Sequence, residues 1–531
     1  MRLIAAIACA VMLLGAGEAS AQPLPDTLRS AGVTQAQWDA LSREARAQAQ
    51  RARISEAALL AAAEASAVRL ARSGRFDAPR LQQIILETLT EQADQIAELQ
   101  RRLDGLTGDS DAGVAAQFAQ ARAALNEGRL DDADRLLAQV AQSDLAAIQQ
   151  ADAEAARRRL RAGATIASRG QVALVQADYL AAAQHYERAA DILPERAVRE
   201  RWEYTLWRAA ALYQRGRLFA EPEALQQSVA AYETALSLRP RETAPSDWAE
   251  TQNDLGIALQ LQGERGAPGA LERAVAAYEA ALTVMTREAN PAGWAQIQMN
   301  LGVALQRQGE RGAPGALERA VAAYEAALTV RTRAADPVGW AMTQMNLGNA
   351  RRRQAERGAP GALEQAVAAY EAALTVQTRD SDPDGWAMTQ MNLGLALRRQ
   401  GERGAPGALE RAIAAFEAAL SVRPRDADPL GWARTQVNLG GALYVQGVRG
   451  TPGALARAVS SFEAALAVIT READLVGWAN TQHNLALAYR ALGRPREARA
   501  AAANALQGAQ QLGDAAFAEQ ARRLLASLPA E

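Results

Sequence analysis

Apolar residues along most of this chain fall into short stripes with helical spacing. One stripe has members three and four residues apart: Trp340, Thr343, Leu347 and Ala350. A second stripe in the neighbouring stretch has the same character: Leu317, Val321, Tyr324 and Leu328. Such spacing places each set on one face of a helix. Each pair of helices has more apolar surface than it can bury alone, so the pattern predicts hairpins that stack on one another.

Tryptophan marks the period of this pattern. Seven tryptophans stand 46 residues apart: Trp202, Trp248, Trp294, Trp340, Trp386, Trp432 and Trp478. Residues 265–284 recur unchanged as residues 311–330. A fixed period of this size is typical of a repeat architecture. The sequence therefore predicts an all-α protein, an α-solenoid of helical hairpins, with the tryptophans packed between helices.

Turn residues set the predicted ends of each hairpin. Asp336 precedes Pro337, a cap residue followed by proline at the first helical position, so a first helix is predicted to begin there and to weaken near Glu356. Pro314 is predicted to open a second helix. The Gly-rich stretch from Gly309 to Gly315 follows a helix and contains no Lys-Ser/Thr pair, which indicates a turn rather than a phosphate-binding loop.

These hairpins resemble the tetratricopeptide repeat family, whose unit of 34 residues carries Leu-Gly on its first helix and an aromatic residue between alanines on its second. Residues 163–196 match at ordinary length through Gly170, Ala182, Tyr186, Ala189 and Pro194. The longer units match through Leu301, Gly302, Leu305, Ala320, Tyr324, Ala327 and Pro337. The resemblance covers residues 111–531 and implies a tetratricopeptide superhelix. The long repeats also resemble those of bacterial effector-associated tetratricopeptide proteins and of kinesin light chain.

The same features divide the chain into five predicted segments. A signal peptide is expected over residues 1–21, from Arg2, the apolar stretch after it and the small residues 19–21. A helical region follows over 22–113, short tetratricopeptide-like hairpins over 114–200, long units over 201–484, and a final short hairpin with a capping helix over 485–531. We expect a periplasmic or secreted protein. The only cysteine, Cys9, lies in the signal segment, and no later stretch is apolar enough to predict a membrane span.

The helical region carries a short heptad pattern within residues 81–103. Its core positions are Ile85, Leu89, Gln92, Ile96, Leu99 and Leu103. One interpretation is a coiled coil through which the chain forms a homo-oligomer. The alternative is an amphipathic helix that docks on the first repeats of the same chain.

Composition argues against several classes of function. A formal net charge of -2, from 58 basic and 60 acidic residues, gives no reason to expect nucleic acid as a partner. The two histidines, His185 and His483, fall in separate repeat helices. A metal cluster or a Ser-His-Asp arrangement would need them together, so we expect no catalysis, no metal and no cofactor.

Asparagine gives the strongest functional signal. Five asparagines each stand six residues after a tryptophan: Asn300, Asn346, Asn392, Asn438 and Asn484. The resemblance implies that first helices line a concave groove, and that asparagines here bind the backbone of an extended peptide, as in kinesin light chain. An amide side chain can both donate to and accept from a peptide group. The alternative is that these amides hydrogen-bond the adjacent hairpin.

Neighbouring residues extend this candidate site. Arg353 and Arg399 stand further along the same helices. Methionines offer an adaptable apolar surface: Met345 and Met391, with Met299, Met342 and Met388. If both sets face the groove, the ligand combines apolar and acidic side chains. Alternatively, the methionines fill the core and the arginines are solvated. The predicted function is a protein-interaction scaffold that holds a protein or peptide ligand; the alternative is an oligomeric structural or assembly component of the cell envelope.

Overall fold

A computed structural model describes residues 23–30, 32–72, 78–148, 155–426 and 428–529. The predicted signal peptide over residues 1–21 lies outside this described part. The described residues form helices joined by turns, with no β-strand among them. None of the helices in these ranges is both long and apolar enough to cross a membrane. The contacts divide the chain into two units, one up to Gly266 and one from Ala267 onward, which are described separately below.

The first unit contains eleven helices within the described residues. They are α1 (Asp26–Ser30), α2 (Gln35–Ala52), α3 (Glu56–Arg72), α4 (Ala78–Gly108), α5 (Ala112–Asn126), α6 (Leu130–Ile148), α7 (Ala155–Val175), α8 (Tyr179–Ile192), α9 (Val198–Phe219), α10 (Pro222–Leu238) and α11 (Pro245–Glu264). Helices α7 and α8 form the hairpin that the sequence predicted at ordinary tetratricopeptide length. Its Gly170 lies so close to Tyr186 that an added Cβ would stand 2.6 Å from the ring carbon Cε1.

The heptad face of α4 is buried inside the first unit. Helix α4 packs against α2, α3, α5 and α7 of the same chain. Every predicted core position is at most 3% exposed: Ile85, Leu89, Gln92, Ile96, Leu99 and Leu103. The Gln92 amide donates to the Ser66 hydroxyl at 2.6 Å and to the Val175 carbonyl at 3.2 Å. The docked-helix alternative is therefore confirmed. The coiled-coil interpretation is wrong for this face, because the chain's own helices already cover it.

The second unit contains twelve helices within the described residues. They are α12 (Ala270–Leu282), α13 (Pro291–Glu310), α14 (Ala316–Leu328), α15 (Pro337–Glu356), α16 (Ala362–Leu374), α17 (Pro383–Glu402), α18 (Ala408–Leu420), α19 (Pro429–Val448), α20 (Ala454–Leu466), α21 (Leu475–Ala491), α22 (Pro495–Gln511) and α23 (Ala515–Ala526). The first helices of its hairpins are α13, α15, α17, α19 and α21. Helix α23 packs against α22 at the C-terminal end, and its Leu524 joins the core of this unit.

The first helices begin where the sequence predicted. The Asp336 carboxylate accepts a hydrogen bond from the Gly339 N–H at 2.8 Å, and Pro337 occupies the first turn of α15. The second helices begin later than predicted, since α14 starts at Ala316 and not at Pro314. Gly315 precedes it with a φ of 69°, a left-handed conformation that glycine adopts without steric cost. Pro314 therefore belongs to the turn.

A close approach between glycine and an aromatic ring joins the two helices of each long hairpin. A Cβ at Gly302 would stand 2.5 Å from Cε1 of Tyr324, and one at Gly348 would stand 2.6 Å from Cε1 of Tyr370. Phe416 and Phe462 pack in the same way against the glycines 394 and 440. Both tyrosine rings are fully buried. The ring thus occupies the space that a side chain on the first helix would need.

Arginines in the turns join each hairpin of the second unit to the next. Arg333 donates to the Thr375 carbonyl at 3.2 Å, and Arg425 donates to the Ala467 carbonyl at 3.0 Å. Both acceptors are C-cap residues of second helices, where a cation also favours the negative end of the helix dipole. A second set links first helices, since Arg403 donates to the Ala355 carbonyl at 3.1 Å. These bonds recur every 46 residues and fix the stacking register.

Successive first helices of the second unit contact one another directly along the stack. Each second helix instead lies between its own first helix and the first helix of the following hairpin, and successive second helices make no comparable contact. The first helices are therefore the closer-spaced layer. Residues at equivalent positions on them form rows that run along this unit.

We expect Gly302→Ala to destabilise the second unit, because the new Cβ would overlap the buried Tyr324 ring. Overpacking of this kind costs about 1 to 3 kcal/mol. The measurement is the urea midpoint of unfolding, followed by circular dichroism.

Gly309→Ala, in the same helix, is the matched control. A Cβ there meets the flexible end of Leu317 at 2.6 Å, and the next hairpin already carries Ala355 at this position. We expect a much smaller shift of the midpoint. Equal shifts for the two variants would show that the glycine–ring contact is not the tight point of the hairpin.

Candidate functional site

The structure brings the predicted asparagines to equivalent positions on five successive first helices of the second unit. Because these helices contact one another in order, the five side chains form a row across them. We call this row the asparagine ladder: Asn300, Asn346, Asn392, Asn438 and Asn484.

Four of the five ladder amides have no hydrogen-bond partner among the described residues. The exception is Asn300, whose Oδ1 accepts from the Gln296 Nε2 at 3.0 Å. Asn346, Asn438 and Asn484 are half-buried and Asn392 is buried at 9% exposure, yet none of their amide atoms is completely shielded from solvent. The alternative that these four bond to the adjacent hairpin therefore finds no support in the described contacts.

Asn349 shows what a structural asparagine looks like in the same setting. It stands three residues after Asn346 on α15, and its Oδ1 accepts a hydrogen bond from the Tyr370 hydroxyl at 2.8 Å. That bond gives the hydroxyl of the buried Tyr370 side chain a hydrogen-bond partner. Asn346 has no corresponding partner, although both residues lie on one helix.

Met345 and Met391 do not lie on the exposed part of the ladder face. Both are half-buried and pack against the core of the second unit. The Met391 sulfur also lies 3.9 Å from the Thr435 hydroxyl of the next first helix. This packing favours the alternative that they fill the core over their predicted role as groove lining.

Exposed apolar side chains instead stand at the N-terminal ends of the first helices. Met342 and Met388 are 41% and 37% exposed, and each precedes its ladder asparagine by four residues, which places it on the same helix face. We call the exposed set the apolar edge: Val338, Met342, Met388, Leu430 and Val476. The sequence predicted only the methionines of this set and missed the two valines and the leucine. Sequence reasoning also did not separate the two exposed methionines from the buried ones.

Arg353 and Arg399 lie on the other side of the ladder, seven residues after Asn346 and Asn392. Arg353 pairs with Glu356 at 2.9 Å and Glu310 at 3.3 Å, and Arg399 pairs with Glu402 at 3.0 Å. Their side chains are 40% and 52% exposed. Exposed ion pairs of this kind contribute little to stability.

The ladder changes character in the first unit. Asp254 holds the equivalent position on α11, where its Oδ1 accepts from the Asn253 amide at 3.2 Å. Burial raises the pKa of the Asp254 carboxyl to about 6. One repeat earlier, Arg208 pairs with Glu187 at 2.8 Å. The run of asparagines is therefore a property of the second unit.

The two histidines lie on different helices, one in each unit. His185 is on α8 and His483 on α21, and burial lowers the pKa of both rings. His483 packs edge-on against Phe517 of α23, with ring centres 5.7 Å apart. Within the described ranges, no three His, Cys, Asp or Glu side chains come together in a group able to hold a metal ion.

Trp432 and Trp478 pack between helices, as the sequence predicted for the tryptophans. Trp432 and Trp478 lie half-buried against a small core that contains Ala433, Ala465 and Ile469. Arg425 stacks over the Trp432 ring at 5.7 Å. Each tryptophan thus lies at the start of a first helix, where one hairpin meets the next.

The described residues of each unit form an all-α stack of helical hairpins, the fold that the sequence predicted. No family model matches this chain, and no curated protein matches it. The chain is similar to the solved structure of the apo form of RapI, with 13% identity, 76% of this chain and 99% of that chain covered, and a TM-score of 0.46. It is also similar to the apo quorum sensor NprR from B. thuringiensis, with 14% identity, 78% and 98% coverage and a TM-score of 0.38. A third similar structure is TTC0263, a thermophilic TPR protein of Thermus thermophilus, with 24% identity, 44% and 99% coverage and a TM-score of 0.29.

We expect Asp254→Asn to stabilise the first unit at neutral pH. An unfolded aspartate titrates near pH 4, whereas burial raises the pKa of Asp254 to about 6. The folded chain holds the proton more tightly, so stability falls as pH rises through this window and stays lower above it. Asparagine carries no charge and should add of the order of 2 kcal/mol at pH 7.

The urea midpoint at about pH 7 and about pH 4 checks this prediction. The gain should be present at the higher pH and nearly absent at the lower one, where Asp254 is already protonated. An equal gain at both values would mean that the charge of Asp254 is not its source.

Proposed function

We propose that this protein is a non-catalytic protein-interaction scaffold, which holds an extended segment of a partner along the asparagine ladder. The observation that carries this proposal is the set of four ladder amides without hydrogen-bond partners among the described residues: Asn346, Asn392, Asn438 and Asn484. Because these amide ends still contact solvent, a ligand can replace water there without breaking a hydrogen bond within the chain. A peptide backbone supplies both the N–H and the C=O that an amide side chain needs.

The spacing of the ladder favours one backbone conformation for the partner. Packed helices lie about 8 to 10 Å apart. A polyproline II chain has three residues per turn and rises about 3.1 Å per residue, so it presents the same edge about every 9 Å. A β-strand repeats its edge every second residue, about 6.6 Å apart. The polyproline II form is therefore the one whose repeat matches the rungs of the ladder.

The flanks of the ladder would then contact the partner's side chains. The apolar edge lies towards the start of the first helices, and Arg353 and Arg399 lie towards their ends. A segment with apolar side chains on one side and acidic ones on the other fits this arrangement. We further propose that binding takes place in the periplasm or outside the cell, because the sequence predicts an export signal over residues 1–21.

Replacement of Asn346, Asn392 and Asn438 by alanine tests the proposal. We expect the triple variant to lose capture of the peptides that the parent chain selects from a random peptide library displayed on phage. Its melting temperature should stay near that of the parent chain, because these amides bond to nothing in the described fold. The measurements are phage recovery and thermal circular dichroism.

Asn349→Ala is the matched control. This variant removes the hydrogen bond from the Tyr370 hydroxyl, so it should lower the melting temperature and leave peptide capture intact. If the triple variant instead unfolds at lower temperature, or captures the same peptides as the parent, the ladder is not the binding site.

The alternative, an oligomeric component of the cell envelope, rested on the heptad face of residues 81–103. Since that face is covered by α2, α3, α5 and α7, we expect it to add nothing to self-association. Sedimentation equilibrium of the full mature chain checks this, with the mass of a single chain as the expected result. A stable dimer would restore the alternative and require another surface for it.

A further inference from the structure

One arginine of the second unit lies across a glycine of the following first helix. The guanidinium of Arg398, on α17, is placed so that a Cβ at Gly441 of α19 would stand 2.8 Å from its Nη1. Gly441 follows Asn438 by three residues and therefore lies on the same face of α19. The Arg398 head group therefore lies against α19 about one helical turn after the ladder residue Asn438.

The gap that receives this guanidinium is peculiar to one repeat. The other first helices of the second unit carry a side chain at the position of Gly441: Val303, Asn349, Leu395 and Leu487. Only α19 offers a glycine there. The arginine and the glycine therefore form a matched pair at a single step of the stack.

Arg398 has weak compensation for its charge. Its nearest acid is Glu402, at 3.7 Å, and its Nε is buried without a partner among the described residues. The side chain is 22% exposed. Burial lowers the pKa of Arg398, the neighbouring Arg399 lowers it further, and Glu402 alone opposes the shift.

The equivalent arginine one repeat earlier has a closer acidic partner. Arg352 bonds to Glu356 at 2.5 Å, although its Nε, like that of Arg398, is buried without a partner among the described residues. The next first helix carries Leu395 at the position of Gly441. Arg353 and Arg399 each reach an acid within 3.0 Å. Among these four arginines, Arg398 is the one whose ion pair lies beyond hydrogen-bonding distance.

We propose that Arg398, in the gap at Gly441, binds a carboxylate of the segment held by the ladder, next to Asn438. A carboxylate fits because the planar guanidinium presents two parallel N–H donors to it. It would also supply the counter-charge that Glu402 gives only at a distance. This inference rests on the proposed function and adds a specificity site to it, for an acidic side chain or a C-terminal carboxylate.

The test is a double-mutant cycle on the full mature chain. Peptides are first selected from two random phage libraries, one displaying internal segments and one displaying free C-termini. A selected peptide is then labelled, and its acidic residue is replaced by the amide, or its C-terminus is amidated. Fluorescence anisotropy gives its affinity for the parent chain, Arg398→Gln, Gly441→Leu and the control Arg307→Gln.

On the parent chain, removal of the peptide carboxylate should weaken binding about tenfold or more, as loss of a charge-assisted hydrogen bond does. On Arg398→Gln the same change should have almost no effect. Gly441→Leu should behave alike, because the leucine found at 395 and 487 would displace the guanidinium. Arg307→Gln should keep the parent's response, since Arg307 and its partner Glu310 both lie on α13, away from the gap at Gly441.

Three outcomes would contradict this inference, and they distinguish it from the proposed function. Peptides that need the ladder asparagines but respond equally to carboxylate removal on the parent chain and on Arg398→Gln would overturn the subsite alone. If no peptide depends on the asparagines, both proposals fail. A fall in the melting temperature of Arg398→Gln, with no change in the cycle, would show that Arg398 acts only in packing.

Discussion

The contact between a glycine on the first helix and an aromatic ring on the second is the constraint on which the hairpins depend. The rings of Tyr324 and Tyr370 fill the space where a glycine Cβ would stand. The last hairpin shows that the two positions are coupled. It carries Ala486 in place of the glycine, and Ala502 in place of the ring, at the separation found between Gly170 and Tyr186. Both alanines are fully buried in the core, so the hairpin closes by a different pair of matched volumes.

Because successive hairpins have the same thickness, the hydrogen bonds from the turn arginines can recur from one hairpin to the next. A guanidinium that reaches a C-cap carbonyl in one repeat reaches it in the next only if the step between hairpins is constant, and the 46-residue period makes it so within the second unit. Most arginines are occupied in this way or with nearby acids. The chain has no lysine, so arginine carries every basic role. Arg398 is distinguished by its surroundings, not by its residue type.

The sequence predicted the hairpins, their first-helix caps and the equivalence of the ladder positions, because all of these follow from periods and local turn chemistry. It did not predict which of two nearby residues on the same helix is exposed and which is packed between helices. Met345 and Met342 illustrate this: three residues apart, one fills the space between helices and the other is 41% exposed. The heptad face of α4 was ambiguous for a related reason, since a short apolar stripe looks the same whether a second copy or the chain itself covers it.

The repeats vary where the fold leaves them free to vary. The ladder residue is asparagine in all five first helices of the second unit, while the position four residues earlier is Gln296, Met342, Met388, Arg434 or Asn480. Contact with a peptide backbone needs the same side chain at each rung, whereas contact with different side chains of a partner needs different ones. The constant row and the variable rows beside it are therefore what a scaffold requires if it grips the backbone uniformly and distinguishes partners at the edges. The gap at Gly441 belongs to the variable part, because it occurs at one step only and places a charge where the other steps place carbon or an amide.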